Sequence, residues 1–207
     1  MTRCFSCLLI LASVFTASQT CMAETAMVPW LTRSADNSRS GWNPNEKVLT
    51  QATVESKGIV RATIIPVFGD ARGIEAQPLI LPNVKLKDGT THDVMVLPSM
   101  ANVVRGVDAH SGGELWTVTL GRPVDGRTPT GPRKANPDGC VGDFPTIDCH
   151  AINDKWGVLS TGVIDADTQR VYLVAWISPD GNASKREASS VCVECRRWRA
   201  RRGPCSG

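Results

Sequence analysis

Helical periodicity is what this chain of 207 residues lacks most. After residue 26 no window repeats its apolar residues at the spacing of an amphipathic helix, which excludes an all-helical fold and leaves a chain of strands. Long apolar runs are missing too. The one near the N-terminus is shorter than the about 20 residues that span a bilayer, and no later run is long enough to anchor in a membrane. Net positive charge is absent from the body. The formal total is +3, but Lys185 and six arginines against Glu187 and Glu194 give residues 183–207 a net of +5. With Arg3 counted at the start, Glu24 to Asn182 is left at −3, a balance that gives no reason to expect nucleic acid.

What is present begins with a leader. Residues 1–23 carry Arg3 as a positive n-region, an apolar core from Leu8 to Phe15, and Cys21-Met22-Ala23 as a cleavage site before Glu24. The expected product is exported, to a bacterial periplasm or beyond. About 180 residues remain, enough for one domain with a sizeable core. Of the eight cysteines, Cys4, Cys7 and Cys21 leave with the leader, while Cys192, Cys195 and Cys205 lie within residues 183–207. Only Cys140 and Cys149 belong to the body. An even pair in an exported domain points to one disulfide; the plainer alternative is two free thiols in a loop.

Short β-rich runs separated by turn residues fill the rest. "GIVRATIIPVF" (58–68), "AQPLILPNV" (76–84), "HDVMVLPS" (92–99), "NVVRGVDA" (102–109) and "GELWTVTL" (113–120) all have strand character, as do "VLSTGVID" (158–165) and "RVYLVAWI" (170–177). Gly, Asp, Asn and Ser between them suit tight turns. The result is an all-β chain of consecutive antiparallel strands behind an extended lead-in at 24–57. A repeat emerges on comparison: "QPLI" matches "TGVI" in role, and "HDVMVLPS" matches "RVYLVAWI". Residues 76–120 make one four-stranded unit, the size of a propeller blade, and the second copy stops about half-way through.

"DAHSGGELW" (108–116) is the corner between the third and outermost strands of that unit. Ser111-Gly112-Gly113 supplies permissive backbone, and Asp108 can cap the turn with a side-chain oxygen. Trp116, early in the outer strand, offers a flat surface for a neighbouring blade. The spacing Asp108-x-x-x-Gly112-x-x-x-Trp116 resembles the repeat signature of the quinoprotein-type β-propellers, the pyrroloquinoline-quinone-like family. "NSRSGWNPNEKVLTQATV" (37–54) is similar to the lead-in of secreted bacterial propellers of this type, and "DKWGVLSTGVIDADTQRVYLVAW" (154–176) to a blade entry, with Trp156 as its packing aromatic. The resemblance implies a partial propeller over residues 58–182, about one and a half blades. It also implies a ring-closing role for the strand at 58–68.

The likeness stops near residue 183. Where another such corner is due, the chain reads "REASSVCVECRRWRARRGPCSG", rich in Arg and Cys and without alternation. Residues 183–207 read as an irregular tail, non-native or disordered, the product being truncated or frameshifted; a genuine basic tail that binds anionic surfaces is the alternative.

Quinoprotein dehydrogenases hold their quinone with calcium through carboxylates and an amide, use an Asp as general base, and cover the cofactor with a disulfide between adjacent cysteines. No Cys-Cys pair occurs here, and Asp108 and Asp165 occupy turn positions. The expectation is a chain with no catalytic residues, no metal and no cofactor in this fragment; the alternative is the N-terminal fragment of a quinone-dependent dehydrogenase, with quinone and calcium. His92 falls at a strand start and His110 in the turn. His150 with Asp148 and Asp154 is a metal-like spacing common by chance, and Cys192-x-x-Cys195 is half a zinc or redox site without its second half. Asn182-Ala183-Ser184 fits a glycosylation sequon, silent in a bacterial protein. The connector 121–157 far exceeds the median of about 4–6 residues, which marks either a functional loop pinned by Cys140–Cys149 or an insertion. The expected role is a non-catalytic module that presents loops to a protein or small-molecule partner, with open blade edges prone to self-association.

Overall fold

A computed structural model describes residues 27–61, 63–67, 74–126, 154–185, 187–194 and 197–202. The leader, Cys140, Cys149, His150 and the middle of the connector lie outside these residues, and so do the expectations placed on them.

The first sheet follows from alternation. Strands β1 (Leu79–Lys85), β2 (Thr91–Pro98), β3 (Val103–Asp108) and β4 (Glu114–Thr119) pair antiparallel in sequence order. Every second side chain, Leu79 and Leu81, Val94 and Val96, Val104, Trp116 and Val118, is buried in one apolar cluster. The turns use residues that tolerate a positive φ: Gly89 at 88°, Asn102 at 60° and Gly112 at 74°.

Strand β5 (Val124–Asp125) pairs with β6 (Lys155–Trp156), so the two ends of the long connector are clamped together at its base. Beyond it, β7 (Val163–Asp165), β8 (Arg170–Ile177), β9 (Glu187–Glu194) and β10 (Arg197–Arg202) form a second four-stranded sheet, again in sequence order. The two sheets stack with β1 beside β7 and β4 beside β10. Ile164, Val171, Leu173, Ala175, Ile177, Val191 and Val193 join the cluster of the first sheet, giving one continuous core.

Two sets of hydrogen bonds hold this stacking. Trp30 exchanges both backbone bonds with Ile80 on β1, at 2.9 Å each, while the Leu31 carbonyl accepts from Ile164 on β7 at 2.8 Å. The lead-in thus ties the two innermost strands together. At the opposite end, buried Asn102 donates from Nδ2 to the Trp176 carbonyl (2.7 Å), and the Ser99 carbonyl accepts from Val158 (3.3 Å). The segments "QPLI" and "TGVI", matched by role in the sequence, do lie side by side: the Gln77 amide donates to Thr161 Oγ1 at 2.9 Å.

The sequence expectations need correction at three places. The segment 58–68 forms no strand among its described residues. Ile59, Val60 and Ile64 are 80%, 81% and 67% exposed, because β propensity without a pairing edge leaves only extended chain. The extended lead-in contains a short helix, α1 (Gln51–Lys57), started by the Thr50 hydroxyl accepting from the Thr53 amide. The tail expected to be irregular supplies β9 and β10, so two four-stranded sheets are present instead of one and a half units. Val191 and Val193 alternate toward the core at 2% and 0% exposure, a signal hidden by the arginine run that follows. Neither sheet closes on itself, and among the described residues no helix is long and apolar enough to cross a membrane.

Candidate functional site

The densest polar constellation sits at the corner where β3 turns into β4. Antiparallel register brings the start of β2 opposite the end of β3, so His92 and Asp93 meet Asp108, Ala109 and His110. Asp108 accepts three bonds on Oδ1, from the His110 amide (3.1 Å), the Ser111 amide (2.7 Å) and the Ser111 hydroxyl (2.8 Å). Its Oδ2 accepts from His92 Nδ1 at 2.8 Å, and His92 Nε2 contacts Thr90 Oγ1 at 3.0 Å. A second imidazole–carboxylate pair crosses the same corner: His110 Nε2 lies 2.9 Å from Asp93 Oδ2, while Asp93 Oδ1 accepts from the Asn83 amide.

The His92 hydrogen bond, more than any other contact, holds the Asp108 carboxyl well below the usual carboxylate range. Burial pushes the other way, and the donors of Ser111 and His110 add to the lowering. Gly112 closes the turn by donating to the Asp108 carbonyl at 2.8 Å. A side chain there would meet both the left-handed backbone and Thr63, whose methyl group would lie 2.7 Å from an added Cβ.

Trp116 is 6% exposed within the core shared by both sheets. Its indole lies across Gly106, the cross-strand partner on β3, where any side chain would collide with the ring. Trp156 is half-buried on β6, opposite Val124. The indole nitrogens of Trp116 and Trp156 are buried with no hydrogen-bond partner among the described residues, a cost that the burial of the rings has to offset.

The structure therefore brings Asp108, Gly112 and Trp116 together as one corner and leaves Trp156 on a separate ribbon. Sequence reasoning missed Asp93 and the pairing of the two histidines with carboxylates. Counting back from the hairpin turn would have found them, since residues 92–93 fall opposite 108 once the β2–β3 register is known.

A second turn repeats part of the chemistry. Asp165 Oδ1 accepts from the amides of Asp167 (3.0 Å) and Thr168 (3.3 Å), and Oδ2 from the Thr168 hydroxyl (2.7 Å). Those bonds lower its pKa, the Thr168 hydroxyl first. Asp108 and Asp165 are thus turn locks, each saturated by neighbours on its own corner. No cluster of three or more His, Cys, Asp or Glu side chains suited to a metal occurs among the described residues.

Set against family models, curated proteins and solved structures, the chain matches none. The class its described residues define is a mostly β arrangement of two stacked four-stranded antiparallel meanders with one short helix.

Proposed function

We propose that this chain is an exported, non-catalytic module of the quinoprotein-like propeller type, with a binding or scaffolding role. The observation that carries the reading is that two meanders of the same strand order share one core with Trp116 inside it. The polar corner supports binding over catalysis. Its carboxylates and the His92 ring are engaged in holding a turn, and among the described residues of the corner no base is poised beside a nucleophile.

The alternative, a fragment of a quinone-dependent dehydrogenase, requires carboxylates and an amide free to hold quinone and calcium. Asp108 and Asp165 are occupied by their own turns, so the described residues do not supply that donor set. The test is to incubate the purified chain with pyrroloquinoline quinone, calcium and an artificial electron-accepting dye, over a panel of alcohols and sugars. No saturable quinone binding and no dye reduction are expected. Either one would overturn the non-catalytic reading.

A further inference from the structure

The lead-in does more than tie the two innermost strands together. Its residues 27–30 and 43–49 return to one place and line a cleft of about 540 Å³ beside β1 and the β3–β4 corner. The apolar walls are Met27 and Val28 from the first pass, Val48 and Leu49 from the second, and Ile80 of β1. That volume suits a small organic molecule, whose sites run from about 300 to 1,000 Å³ and are mostly apolar. Val48 and Leu49 are 55% and 63% exposed, so the fold itself does not bury them. They are held in place all the same. Glu46 Oε1 accepts from the Val48 amide (2.7 Å) and the Leu49 amide (2.8 Å), and Glu46 Oε2 accepts from Asn43 Nδ2 (3.3 Å). A loop fixed in this way offers its apolar side chains to an occupant with little further ordering on binding.

The polar lining narrows the occupant. Glu46 and Lys47 bring opposite charges to the cleft, and the His110 imidazole is engaged by Asp93 at 2.9 Å. The lining therefore has no excess of either sign with which to hold an anion or a cation. Asn45 is placed differently. Its backbone amide donates to Asn43 Oδ1 (3.1 Å), while its carboxamide makes no hydrogen bond among the described residues. We infer that this cleft binds an uncharged, largely apolar small molecule whose one polar group meets the Asn45 carboxamide. A carboxamide both donates and accepts, so a hydroxyl, a carbonyl or a secondary amine serves at that position. The inference deepens the binding role proposed above and rests on that reading.

The experiment uses the full chain and a matched pair of fluorescent probes. N-phenyl-1-naphthylamine is uncharged, and 1-anilinonaphthalene-8-sulfonate is the same skeleton with a sulfonate added. The uncharged probe should bind one per chain with a Kd of about 10–100 μM, as suits a ligand of fragment size. The anionic probe should bind at least about tenfold more weakly, because its sulfonate would be desolvated against apolar walls. Leu49→Glu puts a charge into the wall at an exposed position, and Val28→Trp fills the cleft without adding charge. Each should weaken the uncharged probe about tenfold or more and leave the β signal in circular dichroism unchanged. Asn45→Ala should weaken it about threefold, the loss of one hydrogen bond. Ile59→Glu, on an exposed apolar residue outside the cleft, should change nothing. Several outcomes overturn the inference: no saturable binding of the uncharged probe, tighter binding of the anionic one, or an affinity that Leu49→Glu and Val28→Trp leave intact. An equal loss in Ile59→Glu overturns it as well, since the probe would then be coating the lead-in at large. An unchanged affinity in Asn45→Ala overturns the role given to its carboxamide. Should both cleft variants fail to fold, stoichiometry and the preference for the uncharged probe decide in the wild type. Absence of probe binding together with absence of quinone-dependent dye reduction strikes the cleft and leaves the non-catalytic reading standing.

Discussion

The first and second sheets have one architecture written in two kinds of sequence. Both run inner strand to outer strand in chain order, and both lock the turn between their first two strands with a carboxylate. Asp88 accepts from the Thr90 amide and hydroxyl in one; Asp165 accepts from the Thr168 amide and hydroxyl in the other. They part at the outer corner. The first sheet has Asp108, Gly112 and Trp116 there, while the second passes from Glu194 to Arg197 and shifts register between Arg197 and Ala200. The difference separates two jobs. Alternating valines suffice to seat a strand against a core; the corner signature adds a fixed turn and a large indole between the sheets.

If that division is right, the deepest change to the first sheet is loss of its indole. Trp116→Ala removes a ring 6% exposed and leaves a void over Gly106. A loss of about 3–5 kcal/mol in urea unfolding is expected, as for large-to-small core substitutions. A loss below about 1 kcal/mol would mean that the indole is not between the sheets.

The matching change in the second sheet is Val193→Asp. Val193 is fully buried opposite Val171, so an aspartate there places an unpaired charge in the core. The expected cost is about 3 kcal/mol or more. If residues 187–194 were the irregular tail that their composition suggests, the substitution would be silent. Thermal unfolding of the two variants side by side therefore tests whether the second sheet is as complete as the first.

How much of this was legible in the sequence differs between the sheets for a physical reason. β1 to β4 were readable because apolar alternation and turn residues agreed at every step, and the Asp108–Gly112–Trp116 spacing marked the turn; with half a unit missing Trp116 should lie open to water, and it is buried because the second sheet is completed by β9 and β10. β9 was not, because its alternation is only Val191 and Val193 and is followed by four arginines in β10. Charge on a strand reads as tail, yet an outermost strand tolerates it, since only one of its edges is paired. The error at 58–68 runs the other way. Ile59, Val60 and Ile64 have strand propensity, but propensity does not supply a partner. The histidine–carboxylate pairs were hidden because they depend on cross-strand register, which is set by turn length and not by either strand alone.

A smaller effect is expected at the two turn locks. Asp108→Asn keeps the shape but places an amide where His92 and Ser111 donate, at a cost of about 1–2 kcal/mol near neutral pH. The folded pKa of Asp108 lies below its unfolded value, so its contribution is complete above about pH 5 and is lost as pH falls through the folded value. The gap between wild type and variant should therefore narrow in acid. Asp165→Asn, on an exposed turn, should cost less and change the acid limb less. Equal effects at the two sites would show that the half-buried His92 contact adds nothing to the first sheet.

The mildest test probes the point where the two kinds of sequence meet. Ser178, Asp180 and Lys185 form the turn that leads out of β8, and Lys185 Nζ lies 2.8 Å from Asp180 Oδ2. The ammonium is the first cause lowering the Asp180 pKa to about 2, helped by the Asn182 amide, and Lys185 is raised in return. Both groups are solvent-exposed, so the pair adds little to stability. Its value is as a reporter of order. Asp180 sits in the patterned part of the chain and Lys185 in the part that loses its pattern, so the contact exists only if residues 183–185 are held in the short 3-10 turn. Carbon-detected NMR titration of the Asp180 carboxyl should give a midpoint near 2, and Lys185→Ala should move it up toward the ordinary carboxylate range. Because the folded pKa is the depressed one, whatever stability the pair gives is present above the ordinary value and disappears as pH falls through about 2. An Asp180 midpoint that is ordinary in the wild type and unmoved by Lys185→Ala would mean that the chain leaves its fold at residue 182, and the second sheet would lose its outer half.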